Sequence, residues 1–283
     1  MRVPRRWVLT RGAAVAAAAV GTTTAFSPNA SALALPVVDM EMVLLAAQVD
    51  PPKADTGLTP GAASHVLEVE RALNAKGLLS AGAVDGHYGT STVSAYAAWQ
   101  RSLGYTGIDA NGIPGPTSLT ALGDGRFTLT RTVSTGSQTD TYGGQRVNTR
   151  TRSMLTAADA MLSWSIVLSQ GSYTSTNPSS AGTHDGGGVV DISVTSLTTT
   201  QRWETVRALR TVGFAAWLRN PSQGSWPYHI HAAAVSDPDL ASAARNQIHD
   251  YYFGKNGLAT HAADDTPAAY QAAFTWWEKY RRG

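Results

Sequence analysis

The chemistry-bearing residues of this chain are concentrated in two short segments of its C-terminal half. The first segment contains His184 and Asp191, with three consecutive glycines at 186–188 between them. Glycine adopts backbone conformations that other residues avoid, so this loop can turn tightly and bring the imidazole and the carboxylate to one point. The second segment contains His229 and His231, which share one face if they lie in an extended strand.

This combination of side chains predicts a metal site. The chain contains no cysteine, so disulfides are excluded and a transition metal has to be held by histidine, aspartate or glutamate. Each piece also has an ordinary explanation when it is taken alone. A His-x-His pair is commonly an exposed strand face, His184 can be a loop cap, and Asp191 can lock a turn. The joint occurrence of the two segments favours the metal site.

The two segments together resemble a known superfamily. The pattern of His, two residues, Gly, three residues, Asp and a later His is present as His184, Gly187, Asp191 and His231. It is similar to that of D-Ala-D-Ala metallopeptidases, lysostaphin-type endopeptidases and the hedgehog signalling domain, over roughly residues 126–234. The resemblance implies an α+β domain on a small antiparallel sheet, with Zn²⁺ held by the two histidines and the aspartate. Three protein ligands leave a fourth position for water, as in catalytic zinc sites.

The resemblance also implies roles for residues around the metal. The first histidine of the His-x-His pair, His229, is expected to act in acid/base chemistry or in stabilising the oxyanion. Two common features of the superfamily are missing, a Glu shortly before the last ligand and an Arg that holds a terminal carboxylate through two parallel bonds. Recognition of a free terminus therefore requires Arg150 or Arg152 to reach the cleft, and an internal cross-link is an equal candidate substrate. Gln170 and Tyr173 are expected to line the cleft.

A small helical domain is predicted ahead of these segments. Apolar residues recur at helical spacing from Val66, and the turn at 84–89 leads into a second helix with the pair Trp99-Gln100. A related turn at 111–115 precedes a third helix. Residues 58–123 resemble the peptidoglycan-binding domain found beside many wall hydrolases, on the motif Asp85-Gly86-x-Tyr88-Gly89-x-x-Thr92 and on the Trp-Gln pair. The resemblance implies binding of glycan strands or stem peptides; the alternative is a helical spacer without a ligand.

The N-terminal residues predict export. Residues 1–32 combine a basic start, an apolar run at 12–21 and the small residues Ala30-Ser31-Ala32, as signal peptides do. The pair Arg5-Arg6 favours the twin-arginine route, with general secretion as the alternative. The apolar run is shorter than the roughly 20 residues that span a bilayer, so no transmembrane segment is expected in the mature chain.

The remaining segments are assigned by their periodicity. Residues 33–57 show no clear period and contain several prolines, which indicates a linker. The metal-binding domain then occupies 124–283, with one helix expected over 200–218 and a helical C-terminal part over 238–282. The overall prediction is an α+β protein with a three-helix domain in front of the metal domain.

Charge and the distribution of carboxylates argue against two other classes of function, nucleic-acid binding and glycoside hydrolysis. The formal net charge is +2, and the four arginines within residues 1–32 more than account for it, so the mature chain lacks the basic surface that nucleic-acid binding needs. No pair of carboxylates stands near the motifs, which disfavours a glycosidase. The sequence predicts a secreted, cell-wall-associated, monomeric zinc peptidase that acts on peptidoglycan stem peptides or cross-links. The alternative is a zinc-containing wall-binding protein without activity.

Overall fold

The computed structural model describes residues 34–51, 59–176 and 180–283. The predicted signal peptide therefore lies outside the described residues. Within the described ranges, no helix combines the length and the apolar character that crossing a bilayer requires. The α-helices are Met40–Val49 (α1), Ala63–Ala75 (α2), Thr90–Ser102 (α3), Pro116–Gly123 (α4), Thr149–Asp159 (α5), Thr199–Thr211 (α6), Ser242–Tyr252 (α7) and Trp277–Arg282 (α8).

The strands form three sheets, and the predicted α+β class is confirmed. The strands are Val37–Asp39 (β1), Thr128–Thr130 (β2), Asp140–Tyr142 (β3), Gln145–Val147 (β4), Leu168–Gln170 (β5), Val189–Ser193 (β6), Phe214–Arg219 (β7) and His229–Ala234 (β8). β1 and β2 pair in parallel, and β3 and β4 form an antiparallel hairpin. The largest sheet has four strands in the order β5-β6-β8-β7, and every pair in it is antiparallel.

Alternation along the strands gives this sheet two different faces. Val190 and Ile192 of β6 belong to a buried apolar cluster with residues of α5 and α6. Val189 of β6 and Trp217 of β7 belong to the other cluster, which also contains residues of α1 and α7. Asp191 stands on the same side as Val189, as its position in the strand predicts. The sheet is therefore covered by helices on both faces, and the candidate ligands lie on the face that α7 covers.

The first three helices after α1 are joined by helix side chains that bond to the predicted turns. Glu70 of α2 accepts hydrogen bonds from the backbone N–H groups of Asp85 and Gly86 and from the hydroxyl of Thr92. Gln100 of α3 accepts from Gly112 N–H and donates to the carbonyl of Ile113 in the second turn. The Asx-Gly turns and the Gln of the Trp-Gln pair therefore lock three helices together.

The predicted linker over 33–57 is corrected by the structure. Residues 37–49 form β1 and α1, and Asp39 caps the helix by accepting a hydrogen bond from Glu41 N–H. Almost every residue of α1 is buried, because the helix packs between α2 and α7. A helix that is buried around nearly its whole circumference shows no clear amphipathic stripe, so a search for helical period misses it. Residues 52–58 lie outside the described part of the chain.

Two predicted helices are shorter than expected. α6 ends at Thr211, and Ala216 and Trp217, which fall at helical spacing in the sequence, lie in β7. Gly213 separates the two elements at a φ of 104°, and a side chain there would meet the backbone of Trp276 at 2.7 Å. In the C-terminal part, α7 and α8 are joined by mainly irregular chain over 253–276. Apolar spacing alone does not separate a short buried strand from the end of a helix.

Candidate metal centre

The strand register brings two of the predicted ligands face to face. Asp191 on β6 is the direct partner of His231 on β8, and Trp217 on β7 is the partner of His231 from the other side. Because these pairs lie on one face of the sheet, the carboxylate and the imidazole meet across neighbouring strands. The indole ring stacks beside the imidazole at a centroid distance of 6.5 Å and an angle of 21°. Packing therefore holds the plane of the His231 ring.

The third predicted ligand, His184, comes from the glycine loop before β6. The loop is pinned by the Gly187 N–H, which donates to the carbonyl of Asp239 at 2.8 Å. A Cβ at Gly186 would lie 2.1 Å from the same carbonyl oxygen, so no larger residue fits this approach. The glycines thus permit both the turn and the close contact with the segment after β8.

The three side chains converge into one group. Their potential ligand atoms all lie within 4.8 Å of one another. His184 Nε2 is 3.4 Å from Asp191 Oδ1, and His231 Nδ1 is 2.8 Å from the same oxygen. Both histidines are buried, and the aspartate is mostly so. Two imidazoles and one carboxylate form a donor set that suits zinc.

The hydrogen bond of His184 leaves Nε2, the ring nitrogen that faces Asp191, available to bind an ion. Its Nδ1 lies 2.8 Å from the carbonyl oxygen of Gly171. A carbonyl only accepts, so Nδ1 carries the proton and donates, and the lone pair of Nε2 faces Asp191. Metal-binding histidines characteristically hold their second nitrogen in this way.

The charge states of the group also suit metal binding. Burial opposes ionisation of Asp191, but its close contacts with His184 and His231 outweigh burial and hold the pKa of the carboxyl far below its usual value. Burial lowers the pKa of His231, although Asp191 acts in the opposite direction. An ionised carboxylate and a neutral imidazole are the forms that coordinate metals.

His229 stands beside the group without joining it. Its Nε2 is 3.9 Å from Asp191 Oδ1. Its Nδ1 lies 2.9 Å from the carbonyl oxygen of Pro227 and therefore donates to it. The ring packs edge-on against Trp226 at a centroid distance of 6.2 Å. In the neutral tautomer that this hydrogen bond selects, His229 presents the lone pair of Nε2 close to the candidate metal position.

The group opens onto a cavity of about 850 Å³. Its walls include the two strands that carry the ligands, the aromatic loop 226–228 and the face of α7 that carries Asn246 and Gln247. A cavity of this size accommodates a short peptide segment. Its lining is mixed, with hydroxyl and amide groups beside the aromatic side chains.

Only one of the four predicted substrate-binding residues lines the cavity. Gln170 lines the cavity. Tyr173 does not, because its hydroxyl donates to Asp239 at 2.7 Å and so supports the glycine loop from behind. The roles expected for Arg150 and Arg152 are also corrected, since neither lines the cavity. Ion pairs with other acidic residues hold these two arginines away from the cavity.

Both arginines lie on α5 and are engaged elsewhere. Arg150 is buried, bonds bidentately to Glu278 of α8 and donates to the carbonyl of Val235. Arg152 is half-exposed and pairs with Asp140 of the β3–β4 hairpin at 3.1 Å. Their guanidinium groups neutralise nearby acids instead of facing a substrate.

Sequence reasoning missed two polar groups in the cavity wall. Arg219, at the end of β7, is buried and donates from Nη1 to the carbonyl of Asn256 at 2.6 Å. Gln247 of α7 lies 2.8 Å from His231. Neither belongs to a motif, and Arg219 directly follows a stretch assigned to a helix, so no local signal identifies them.

Comparison with known proteins assigns one part of the chain to a protein family. Residues 63–122 match the family model described as "Putative peptidoglycan binding domain". Among curated proteins and among solved structures, no match to the chain was found. A domain of this kind is consistent with association with the cell wall and with peptidoglycan as a partner. The stretch that contains α2, α3 and α4 is therefore a peptidoglycan-binding domain.

Proposed function

We propose that this protein is a zinc-dependent peptidase that cleaves peptide bonds in peptidoglycan stem peptides or cross-links. The observation that carries the proposal is the convergence of His184, Asp191 and His231 in a buried group at a cavity wall. The peptidoglycan-binding domain in the same chain supports the substrate class. Residues 1–32, with the pattern of a signal peptide, support export to the compartment that contains this substrate.

The zinc ion would be held by His184, Asp191 and His231. When bound in such a site, zinc supplies a water of lowered pKa and polarises the scissile carbonyl. Bond cleavage then also needs a group that takes a proton from the attacking water and delivers one to the leaving amine.

His229 has the geometry for this proton transfer. The hydrogen bond from its Nδ1 to Pro227 fixes the tautomer, so Nε2 is the atom that accepts and later returns the proton. Its distance of 3.9 Å from Asp191 Oδ1 places that atom beside the ligand group. Among the described residues, no glutamate lines the cavity, so His229 takes the place of the missing acid.

Two other parts of the cavity support peptide binding. Trp226 and Tyr228 give one wall an aromatic surface for substrate side chains. Gln170, at the edge strand β5, adds a polar side chain to the cavity lining, and its amide nitrogen donates to the hydroxyl of Thr174. Displacement of water by a peptide strengthens the electrostatic interactions of the site.

The missing glutamate favours a second candidate function, a zinc-containing wall-binding protein without turnover. The two are separated by incubating the mature, zinc-loaded protein with purified peptidoglycan and analysing the products by mass spectrometry. New amino termini within cross-links indicate an endopeptidase, and released D-alanine indicates a carboxypeptidase. A His184→Ala variant, which loses a ligand, serves as the inactive control. Muropeptides left unchanged by the zinc-loaded wild type would overturn the proposed activity and favour the binding protein.

A further inference from the structure

Helix α7 reaches the metal group through one side chain, that of Gln247. Its Oε1 lies 2.8 Å from Nε2 of His231, on the far side of the ring from Asp191. Asp191 is on β6 and His231 on β8, whereas α7 follows the sheet in the chain and covers its face. The ring of His231 is therefore held between a carboxylate and an amide.

The orientation of the Gln247 amide is set by its second contact. The Nε2 group of Gln247 donates to the carbonyl oxygen of Gly257 at 3.3 Å. A carbonyl accepts and does not donate, so the nitrogen of the amide belongs on the Gly257 side and the oxygen on the His231 side. The amide oxygen then requires a proton on Nε2 of His231.

The proton on Nε2 decides how His231 binds a cation. A neutral imidazole carries one N–H, so a proton at Nε2 leaves the lone pair on Nδ1. Nδ1 is the nitrogen that faces Asp191, at 2.8 Å. His184 is held in the opposite tautomer by Gly171 and offers its Nε2. The two histidines thus present different nitrogens to one point.

We infer that Gln247 is the positioning residue of the metal centre, and that it selects the His231 tautomer in which Nδ1 binds the ion. This inference rests on the proposed zinc site, and it makes α7 a part of that site. Trp217 holds the plane of the same ring by stacking. The indole restricts tilt, while the amide of Gln247 supplies the hydrogen bond that distinguishes the two ring nitrogens.

Zinc affinity, measured by competition with a chromogenic chelator and without substrate, tests the role of Gln247. Removing a hydrogen-bond partner of a metal-binding histidine typically costs about 10–100-fold in affinity. We expect a loss of this size in Gln247→Leu. We expect Gln247→Glu to retain the wild-type affinity, because a carboxylate also accepts from Nε2. Asn246→Leu is the matched control, since Asn246 lines the same cavity and has no hydrogen bond to the metal group among the described residues.

A second measurement keeps the inference testable if Gln247→Leu does not fold. In the zinc-loaded wild type, nitrogen-15 NMR of the His231 ring is expected to show a proton on Nε2 and the metal on Nδ1. The reverse assignment would overturn the inference, as would equal affinities of Gln247→Leu and Asn246→Leu. A wild type that binds no zinc would overturn the proposed function as well. A wild type that binds zinc while Gln247→Leu binds equally well overturns the role of Gln247 alone.

Discussion

Asp191 and His231 are direct cross-strand partners, and their side chains meet with 2.8 Å between Oδ1 and Nδ1. The contact depends on the register of β6 against β8, because a shift of one residue would send one of the two side chains to the other face of the sheet. The apolar residues on the opposite face, such as Ile192 and Ile230, are buried and oppose such a shift. The packing of the core thus maintains the geometry of the candidate metal site.

Replacement of His229 by alanine tests its proposed role in proton transfer. We expect His229→Ala to keep bound zinc, because His229 is not one of the three converging ligands. Hydrolysis of peptidoglycan should fall by about 10²–10⁴-fold, the usual contribution of a general acid or base. Zinc content by elemental analysis and the rate of product release by mass spectrometry provide the two measurements. Full activity in the zinc-loaded variant would refute the assignment.

Replacement of Asp191 by asparagine tests the ligand set. Asparagine preserves the volume of the side chain but removes the charge, so we expect Asp191→Asn to lose zinc binding while keeping the fold. Addition of zinc at 100 times its dissociation constant stabilises a binding protein by about 2.7 kcal/mol. This rise in thermal stability should occur in the wild type and not in the variant.

Ser193→Ala is the matched control for the aspartate variant. Ser193 lies two residues further along β6 and points to the same face, but it is not one of the converging ligands. Its zinc-dependent stabilisation should equal that of the wild type. An Asp191→Asn variant with the same zinc response as Ser193→Ala would exclude Asp191 as a ligand.

Glu70 predicts a pH dependence of stability in the peptidoglycan-binding domain. Burial raises its pKa from 4.5 to about 7, although hydrogen bonds from Gly86 and Thr92 act in the opposite direction. The folded state therefore binds a proton more readily than the unfolded state, so this group's contribution to stability decreases as the pH rises from 4.5 through 7. Glu70→Gln mimics the protonated carboxyl. We expect the variant to be about 1–3 kcal/mol more stable than the wild type at pH 8.

Denaturant unfolding at several pH values measures the Glu70 effect. The difference between Glu70→Gln and the wild type should shrink toward pH 4.5, where both side chains are neutral in the folded state. Glu68→Gln is the control on the same helix, because Glu68 forms an exposed pair with Arg71. A difference that stays constant over the whole pH range would contradict the raised pKa.

The C-terminal helix α8 should stabilise α1 through Glu41. The buried carboxylate of Glu41 accepts from Trp276 and from both terminal nitrogens of Arg282. Burial opposes its ionisation, but these bonds outweigh burial and lower its pKa. Arg282→Ala leaves the carboxylate with one partner fewer, so we expect a loss of about 1–3 kcal/mol in the free energy of unfolding.

Arg71→Ala is the control for the Arg282 variant, because it removes an exposed ion pair with Glu68. Such surface pairs contribute about 0–1 kcal/mol. Chemical denaturation of both variants under the same conditions gives the comparison. An Arg282→Ala variant no less stable than Arg71→Ala would show that the contact with Glu41 does not hold α8 to α1.

Much of the candidate site follows from local sequence. The alternation of β6 predicts the face of Asp191, and the spacing of the His-x-His pair places His229 and His231 on one side of β8. Glycines at 186–188 predict a tight turn, which the structure combines with a close contact to Asp239. In the helical domain, local sequence predicts the Asx-Gly turns, whereas the hydrogen bonds of Glu70 and Gln100 to these turns are found only in the structure.

The burial of α1 and the division between α6 and β7 do not follow from local pattern. α1 is buried on nearly every side because α2 and α7 cover it, and α7 comes from a distant part of the chain. The residues of β7 are buried from Phe214 to Arg219, so they show neither helical nor strand alternation. In both segments the packing environment, and not the local period, determines the structure.

The sequence by itself therefore determined which side chains can bind a metal and which strand faces carry them, because strand alternation and glycine turns are local properties. Tertiary structure alone decided that Arg150 and Arg152 face other acids, and that Gln247 contacts His231. These contacts join residues between 12 and 128 positions apart. The local spacing of these residues does not predict their contacts. Such contacts form only when separate elements pack against one another in the folded protein.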